Sequence, residues 1–238
     1  LTIIGLAHRG YPKKVAENTI PSFQAALDLQ FSHLELDVQL SKDGVPVVIH
    51  DTTVNRTTNG KGRVIDMTFS ELRQLNAGGG AQIPTLEEVL LLAKGRAKVD
   101  IEFKQSGDLY PGLEKRVLEV IRECDVQDQV FITSFDHYSI MRARELSSDI
   151  ELGLVIYGAT PSVFPLAEQI RARYVSVKYI YLTDEYMKEC EERGLQVIAW
   201  TIDDEEHMRL LIDKYPQAMI CTNELERWKK TFEAAALR

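Results

Sequence analysis

Short apolar runs rich in β-branched residues alternate with helix-period segments along the whole chain, and that alternation limits it to folds built from βαβ units. Such units make parallel sheets buried on both faces. The runs are Ile3 to Ala7, His33 to Leu40, Lys98 to Phe103, Gln129 to Thr133, Glu151 to Val155, Tyr174 to Lys178, Gln196 to Thr201 and Ala218 to Thr222, eight in all. Between them, Thr19 and Pro21 open one helix, Pro84 and Thr85 open another, and Gly194 closes a third. Eight units of similar spacing, with no linker rich in Pro, Gly or Ser, predict one α/β domain, a closed (β/α)8 TIM-type barrel. The length of 238 residues is close to the roughly 250 that such a barrel uses. A doubly wound open sheet is the alternative.

One segment breaks the alternation. Val45 to Ile49 is a ninth strand-like run, separated from the second strand only by Ser41-Lys42-Asp43-Gly44, too short for a parallel crossover. It must return antiparallel. Reading Asp43-Gly44 as a two-residue hairpin turn sets Lys42 opposite Val45 and Asp37 opposite His50. The polar stretch 51–83, with Asn59-Gly60, Gly62, Gly78-Gly79-Gly80 and a short helix near Ser70 to Leu75, then forms a small insertion over the barrel mouth.

Composition narrows the partners. With 28 Lys+Arg against 36 Asp+Glu, the formal charge is -8 and no basic block tracks a phosphate backbone, which argues against nucleic acid. No apolar run is long enough to span a membrane. Cys124, Cys190 and Cys221 show no metal-ligand or C-x-x-C spacing and read as buried thiols, which leans towards a cytoplasmic compartment; a removed upstream signal peptide is compatible with the same chain. No feature fixes an oligomeric state.

Catalytic side chains of a (β/α) barrel come from the C-terminal ends of its strands. The polar residues there are His8 and Arg9 on the first strand, Glu35 and Asp37 on the second, His50 on the hairpin arm, and Glu102 and Lys104 on the third barrel strand. Glu35 and Asp37 are two apart, as are Glu102 and Lys104, so each pair shares a face. Acids gathered on an inward face need their charge cancelled. Glu35, Asp37 and Glu102 offer hard oxygen ligands suited to Ca²⁺ or Mg²⁺; pairing with Arg9, Lys104 or Lys42 is the structural alternative. His8 and His50 on the same rim can give and take a proton near neutral pH. His33, His137 and His207 read as structural. Arg9 and Lys104 are candidates for phosphate contact or for internal counterions.

Taken together, His8-Arg9-Gly10, Glu17-Asn18-Thr19, Glu35-Leu36-Asp37-Val38, His50-Asp51 and Glu102-Phe103-Lys104 resemble the glycerophosphodiester phosphodiesterase family, with weaker echoes at Ser134-Phe135, Trp200-Thr201 and Thr222-Asn223. The resemblance covers nearly the whole chain in order. It implies a barrel enzyme that hydrolyses small glycerophosphodiesters to glycerol 3-phosphate and an alcohol with a divalent cation. Glu35, Asp37 and Glu102 then match the metal ligands and His8 and His50 the base and acid, with the neighbouring glycerol hydroxyl as a possible first nucleophile. Glu17 matches a motif acid supporting the metal site or substrate, and Asn18 fixes the loop at the helix start. Trp200 either lines the glycerol pocket or fills the barrel.

Three positions depart from the family pattern: Ala16 where a Pro commonly stands, Asp203 where an Asn is usual, and Asn223 where an Asp ends the last strand. They bear on substrate contacts and loop rigidity rather than on the reaction class. Two rivals stand beside this reading. A lysophospholipase D or sphingomyelinase D-like enzyme would need an apolar lip, and 51–83 is mostly polar, so a small soluble substrate fits better. A non-catalytic binding barrel usually loses an acid-base or metal residue, and all of the core set is present here.

Overall fold

At ten residues, Phe31–Leu40 (β2) is the longest strand, and three other strands hydrogen-bond along it. The computed structural model describes residues 2–237. The chain enters through β1 (Ile3–His8) and α1 (Ile20–Asp28), then β2, then the short strand β3 (Pro46–Val48). Next come α2 (Phe69–Arg73), α3 (Leu86–Ala93), β4 (Lys98–Phe103), α4 (Leu113–Glu123), β5 (Val130–Ser134) and α5 (His137–Leu146). The last part is β6 (Glu151–Ile156), α6 (Val163–Gln169), β7 (Tyr174–Lys178), α7 (Asp184–Glu192), β8 (Gln196–Trp200), α8 (Glu205–Lys214), β9 (Met219–Thr222) and α9 (Leu225–Ala236).

The sheet order is β1-β9-β8-β7-β6-β5-β4-β2-β3, and β1 also pairs in parallel with β2. That pairing closes eight parallel strands into a barrel and removes the open-sheet alternative. Strand limits fall within about two residues of the expected ones, as is usual for element ends. Along β2, Leu34, Leu36 and Val38 point outward and are fully buried beneath the helices, while Glu35, Asp37 and Gln39 point inward. Inside, Leu6, Phe131, Tyr174, Ile198, Met219 and Cys221 pack into a floor that leaves the acids above it. The three cysteines are buried and free. Among the described residues, no helix is long and apolar enough to cross a membrane.

One edge of β2 is shared in succession. β1 holds it as far as His8 opposite Glu35, where Arg9 and Gly10, both at positive φ (58° and 81°), turn the chain away. A Cβ on Gly10 would lie 2.7 Å from the Ser22 backbone carbon, so this turn has room only for glycine. β3 then takes over the vacated edge, with Val38, Gln39 and Leu40 opposite Val48, Val47 and Pro46.

The hairpin differs from the expected one by a residue. Ser41 N–H donates to the Val45 carbonyl and Gly44 N–H to the Ser41 carbonyl, each at 3.0 Å, so the loop is the three residues Lys42 to Gly44 with Gly44 left-handed at φ 77°. The Ser41 hydroxyl fixes it further by accepting from Val45 N–H at 2.9 Å and donating to Asp43 at 2.7 Å. Asp37 therefore faces Ile49, whose N–H reaches the Asp37 carbonyl at 3.0 Å, and not His50. Val47 and Ile49 join Val54, Val64, Leu72, Ala77 and Ile83 in a separate small apolar cluster beneath residues 51–83.

Candidate active site

Three carboxylates meet at the mouth of the barrel. Glu35, Asp37 and Glu102 each offer an oxygen within 4.8 Å of the others, because β2 and β4 run in register with Asp37 directly opposite Glu102. Asp37 is fully buried and Glu35 nearly so. Arg9 Nε lies 3.1 Å from Asp37 Oδ2, though off the N–H axis, while Lys104 Nζ lies 2.7 Å from Glu102 Oε1 and 3.5 Å from Asp37 Oδ1. Lys42 is exposed and takes no part.

These two cations do not match the acids of the pocket, which also holds Asp100. Glu35 has no cationic side chain bonded to it: its Oε2 accepts the Arg9 backbone N–H at 2.9 Å while Oε1 is buried without a partner. Burial and the neighbouring Asp37 push the Glu35 carboxyl well above its usual range. Burial also raises Glu102, against the pull of Lys104, whereas at Asp37 the pull of Lys104 and Arg9 overcomes burial and lowers the carboxyl. Asp37 Oδ1 also lacks a hydrogen-bond donor. Two orphaned carboxylate oxygens on β2, with the Glu102 carboxylate facing them from β4, fit a hard divalent cation, which would cancel the excess charge.

Both histidines reach this pocket, with Arg9, Glu35, Glu102, Lys104 and Trp200 also on its wall. His8 ends β1; its Nδ1 lies 2.8 Å from Asn223 Oδ1, and its Nε2 lies 3.9 Å from Glu35 Oε2. Burial, helped by Arg9, brings the imidazole down to about 4, so the ring is neutral at neutral pH. His50 follows β3, and its Nδ1 lies 2.7 Å from Asp51 Oδ1. The bend at His50, not the cross-strand register, turns its ring toward the acids.

Gln39 secures that bend. Fully buried, it directs its side-chain NH₂ at the carbonyls of Ile49, His50 and Asp51, at 2.9, 2.8 and 2.8 Å, while Tyr110 donates to its Oε1. A polar residue two beyond Asp37 on the same strand face was the sequence signal for it.

Glu17 stands behind Arg9 rather than on the pocket wall. It accepts from Arg9 at 3.2 Å and from Arg56 at 2.9 and 2.8 Å, and Arg56 also holds Asp51 at 2.7 and 2.9 Å. Asn18, left-handed at φ 56°, does more than fix its loop: its side-chain N–H reaches Asp37 Oδ2 at 2.8 Å. The wall also includes Asp100, which the sequence reading does not single out, and Phe135 of the Ser134-Phe135 echo. Asp100 lies below Glu102 on the same face of β4, hydrogen-bonded by Thr133 at 2.7 Å, and Phe135 follows β5.

The sequence profile of the glycerophosphoryl diester phosphodiesterase family matches residues 8–226. The chain belongs to that family. It is 38% identical over 215 residues to a glycerophosphodiester phosphodiesterase of Caldanaerobacter subterraneus subsp. tengcongensis, covering 87% of this chain and 88% of that one. A glycerophosphodiester phosphodiesterase of Bacillus altitudinis is 34% identical over 217 residues, with 87% and 89% covered. Among solved structures, a phosphodiesterase of Oleispira antarctica in complex with the product sn-glycerol-3-phosphate superposes with a TM-score of 0.89 at 25% identity, over 96% of each chain. The family assignment agrees with the motif resemblance and with the barrel.

Across the pocket from the acids, the family barrel carries an apolar rim in this chain. Trp200 packs on the inner floor with one side and lines the pocket with the other. Phe135 and Tyr157 meet it edge-on, at ring-centroid distances of 5.8 and 6.1 Å, and Tyr181 lies 5.8 Å from Tyr157. Phe135, Tyr157, Ile180 and Tyr181 are all exposed. The apolar lip that the polar residues 51–83 do not offer stands on the loops after β5, β6 and β7.

Proposed function

We propose that this family member hydrolyses glycerophosphodiesters to glycerol 3-phosphate and an alcohol, with Glu35, Asp37 and Glu102 holding one Ca²⁺ or Mg²⁺ and His8 and His50 serving as base and acid. One observation carries the reading: two imidazoles and two cationic side chains share a pocket with Glu35 and Glu102, while Asp37 lies behind with an oxygen within 4.8 Å of both, and Glu35 and Asp37 each keep an unpartnered oxygen. When bound, the cation supplies Lewis-acid neutralisation of charge on phosphoryl oxygens.

Arg9 and Lys104 sit where their remaining N–H groups can meet phosphate oxygens, holding the diester in line and stabilising the charge that builds on them. His8, neutral and with Nδ1 committed to Asn223, presents Nε2 to the pocket to take the proton of the attacking hydroxyl, whether water or the neighbouring glycerol hydroxyl. As the new oxygen–phosphorus bond forms, the bond to the alcohol oxygen breaks, and His50 delivers a proton to that oxygen. Asp51 on Nδ1 suits His50 to this role, since a carboxylate partner stabilises a ring while it carries the extra proton. If water attacks, the products form directly. If the glycerol hydroxyl attacks, a cyclic phosphate forms first and is opened by water.

The test is release of glycerol 3-phosphate from glycerophosphocholine by purified protein, followed by phosphorus NMR. Turnover that depends on added Ca²⁺ or Mg²⁺ and stops with EDTA is expected. Full turnover in chelated protein would reduce the acids to structural ion pairs.

The aromatic rim favours a second reading, in which the substrate carries an acyl chain, as a lysophospholipid does. Exposed apolar side chains clustered beside a pocket mark a binding surface. A quaternary ammonium group is the poorer occupant, because the Lys178 ammonium already lies 4.6 Å from the Tyr157 ring centre. Comparing glycerophosphocholine with lysophosphatidylcholine decides between the readings. If Tyr157→Ser and Phe135→Ser slow only the lipid substrate, the rim holds its chain.

A further inference from the structure

We infer that Asp203 is a positioning residue that fixes which nitrogen of His8 carries the proton, acting through the side-chain amide of Asn223. The three residues stand at the ends of the adjacent strands β8, β9 and β1 and form one chain of hydrogen bonds along the rim. Neither Asp203 nor Asn223 lies on the pocket wall.

The direction of each bond follows from what each atom can do. The Asp203 carboxylate only accepts, and its Oδ1 already takes the Asn223 backbone N–H at 2.8 Å and the Thr222 hydroxyl at 3.1 Å. Its Oδ2, 2.9 Å from the Asn223 amide, must therefore face the NH₂ end. The Asn223 carbonyl end is left for His8 at 2.8 Å, and a carbonyl only accepts, so Nδ1 of a neutral His8 must be the protonated nitrogen. Nε2 keeps its lone pair toward the pocket. A residue two hydrogen bonds away sets the tautomer.

Two of the positions where the sequence departs from the expected pattern are bonded to each other. Asp203 and Asn223 touch, so against the pattern the resemblance implies, a carboxylate and an amide would be exchanged within one bonded pair. Either arrangement puts an acceptor on His8 Nδ1. Changing one member alone does not.

In Asp203→Asn, the introduced carbonyl is still claimed by the Asn223 backbone and Thr222, so the introduced NH₂ faces the Asn223 side chain. Asn223 must then turn its carbonyl to it and its NH₂ to His8, which drives the His8 proton onto Nε2. In the reciprocal exchange Asp203→Asn with Asn223→Asp, the introduced amide donates to the introduced carboxylate, which accepts from His8 Nδ1 as before.

Long-range proton–nitrogen spectra of ¹⁵N-labelled protein, with His8 assigned by its loss in His8→Gln, read the tautomer without any substrate. The expected result is Nδ1–H in wild type, Nε2–H in Asp203→Asn, and Nδ1–H again in the reciprocal exchange. The effect on turnover rests on the proposed role of His8 as base. There kcat should fall about 100-fold in the single variant, at similar KM, and recover most of that in the exchange. An unchanged tautomer in folded Asp203→Asn overturns the inference. If that variant does not fold, the exchange carries the test: Nδ1–H with retained activity upholds the inference, and its loss overturns it. A switched tautomer with undiminished kcat upholds the role of Asp203 and overturns that of His8 as base.

Discussion

Arg56 reaches from the segment after His50 to Glu17 in the loop after β1, with two N–H···O bonds of 2.9 and 2.8 Å. Its other bonds hold Asp51, the partner of His50, so one guanidinium braces the supports of both Arg9 and His50. The two carboxylates respond as expected for such a bridge: bonding to Arg56 holds Asp51 below the usual range, and at Glu17 Arg56 and Arg9 overcome the effect of burial. Arg56→Ala should lower kcat/KM by about tenfold, the scale of one or two charge-assisted bonds, and Arg56→Lys should not restore it because an ammonium lacks the fork. Wild-type kinetics in both variants would make the bridge an ordinary exposed ion pair.

Glu35 is a buried carboxyl with one oxygen unpartnered and no cationic side chain bonded to it, and burial with the neighbouring Asp37 disfavours its charged form. Glu35→Gln should therefore raise the melting temperature of the cation-free protein, at about 2–4 °C per kcal/mol gained, while reducing the rise that Ca²⁺ or Mg²⁺ brings. Calorimetry with and without the cations tests this. A variant that melts lower without cation and still gains fully on adding it would place the binding site elsewhere.

His50 and Gln39 should separate chemistry from support. His50→Ala is expected to cost about 100-fold or more in kcat with little change in stability, since the ring faces the pocket. Gln39→Leu leaves the carbonyls of Ile49, His50 and Asp51 and the Tyr110 hydroxyl without their partner, and should lose both activity and about 1–3 kcal/mol of stability. Urea unfolding beside steady-state kinetics distinguishes the two, and a stable, inactive Gln39→Leu would contradict the assignment.

His33 sits on the inner face of β2 below the site, and burial beside Lys98 lowers its imidazole to about 4 from an ordinary 6.5. Between those values the unfolded chain binds a proton that the folded one refuses, so this group's contribution is complete above 6.5 and is lost as pH falls toward about 4. The stability of wild type relative to His33→Gln should then decline from about pH 7 to about pH 4.5. A difference that does not vary with pH would mean that His33 titrates normally.

Much of this architecture was legible because it rests on periods. Eight runs of strand character and the i, i+2 spacing of Glu35 with Asp37 and of Glu102 with Lys104 place acids and cations on one inner face whatever the register of the helices. The hairpin register was not legible, since Asp43-Gly44 suits a two-residue loop as well as the three-residue loop formed here. The Ser41 hydroxyl bonds and the left-handed Gly44 choose between them. Arg56 left no trace because an ion pair between loops has no period. The rim of Phe135, Tyr157 and Tyr181 was hidden for another reason: the three follow different strands and become neighbours only when the barrel closes.

That rim occupies the arc of β5, β6 and β7, whose ends supply none of the carboxylates or imidazoles. Loops there can lengthen, shorten or change character without disturbing the acid cluster or the two imidazoles. New leaving groups or acyl chains could be accommodated by redecorating three strand ends while β1, β2, β4 and the hairpin arm keep the acid cluster and both imidazoles in place.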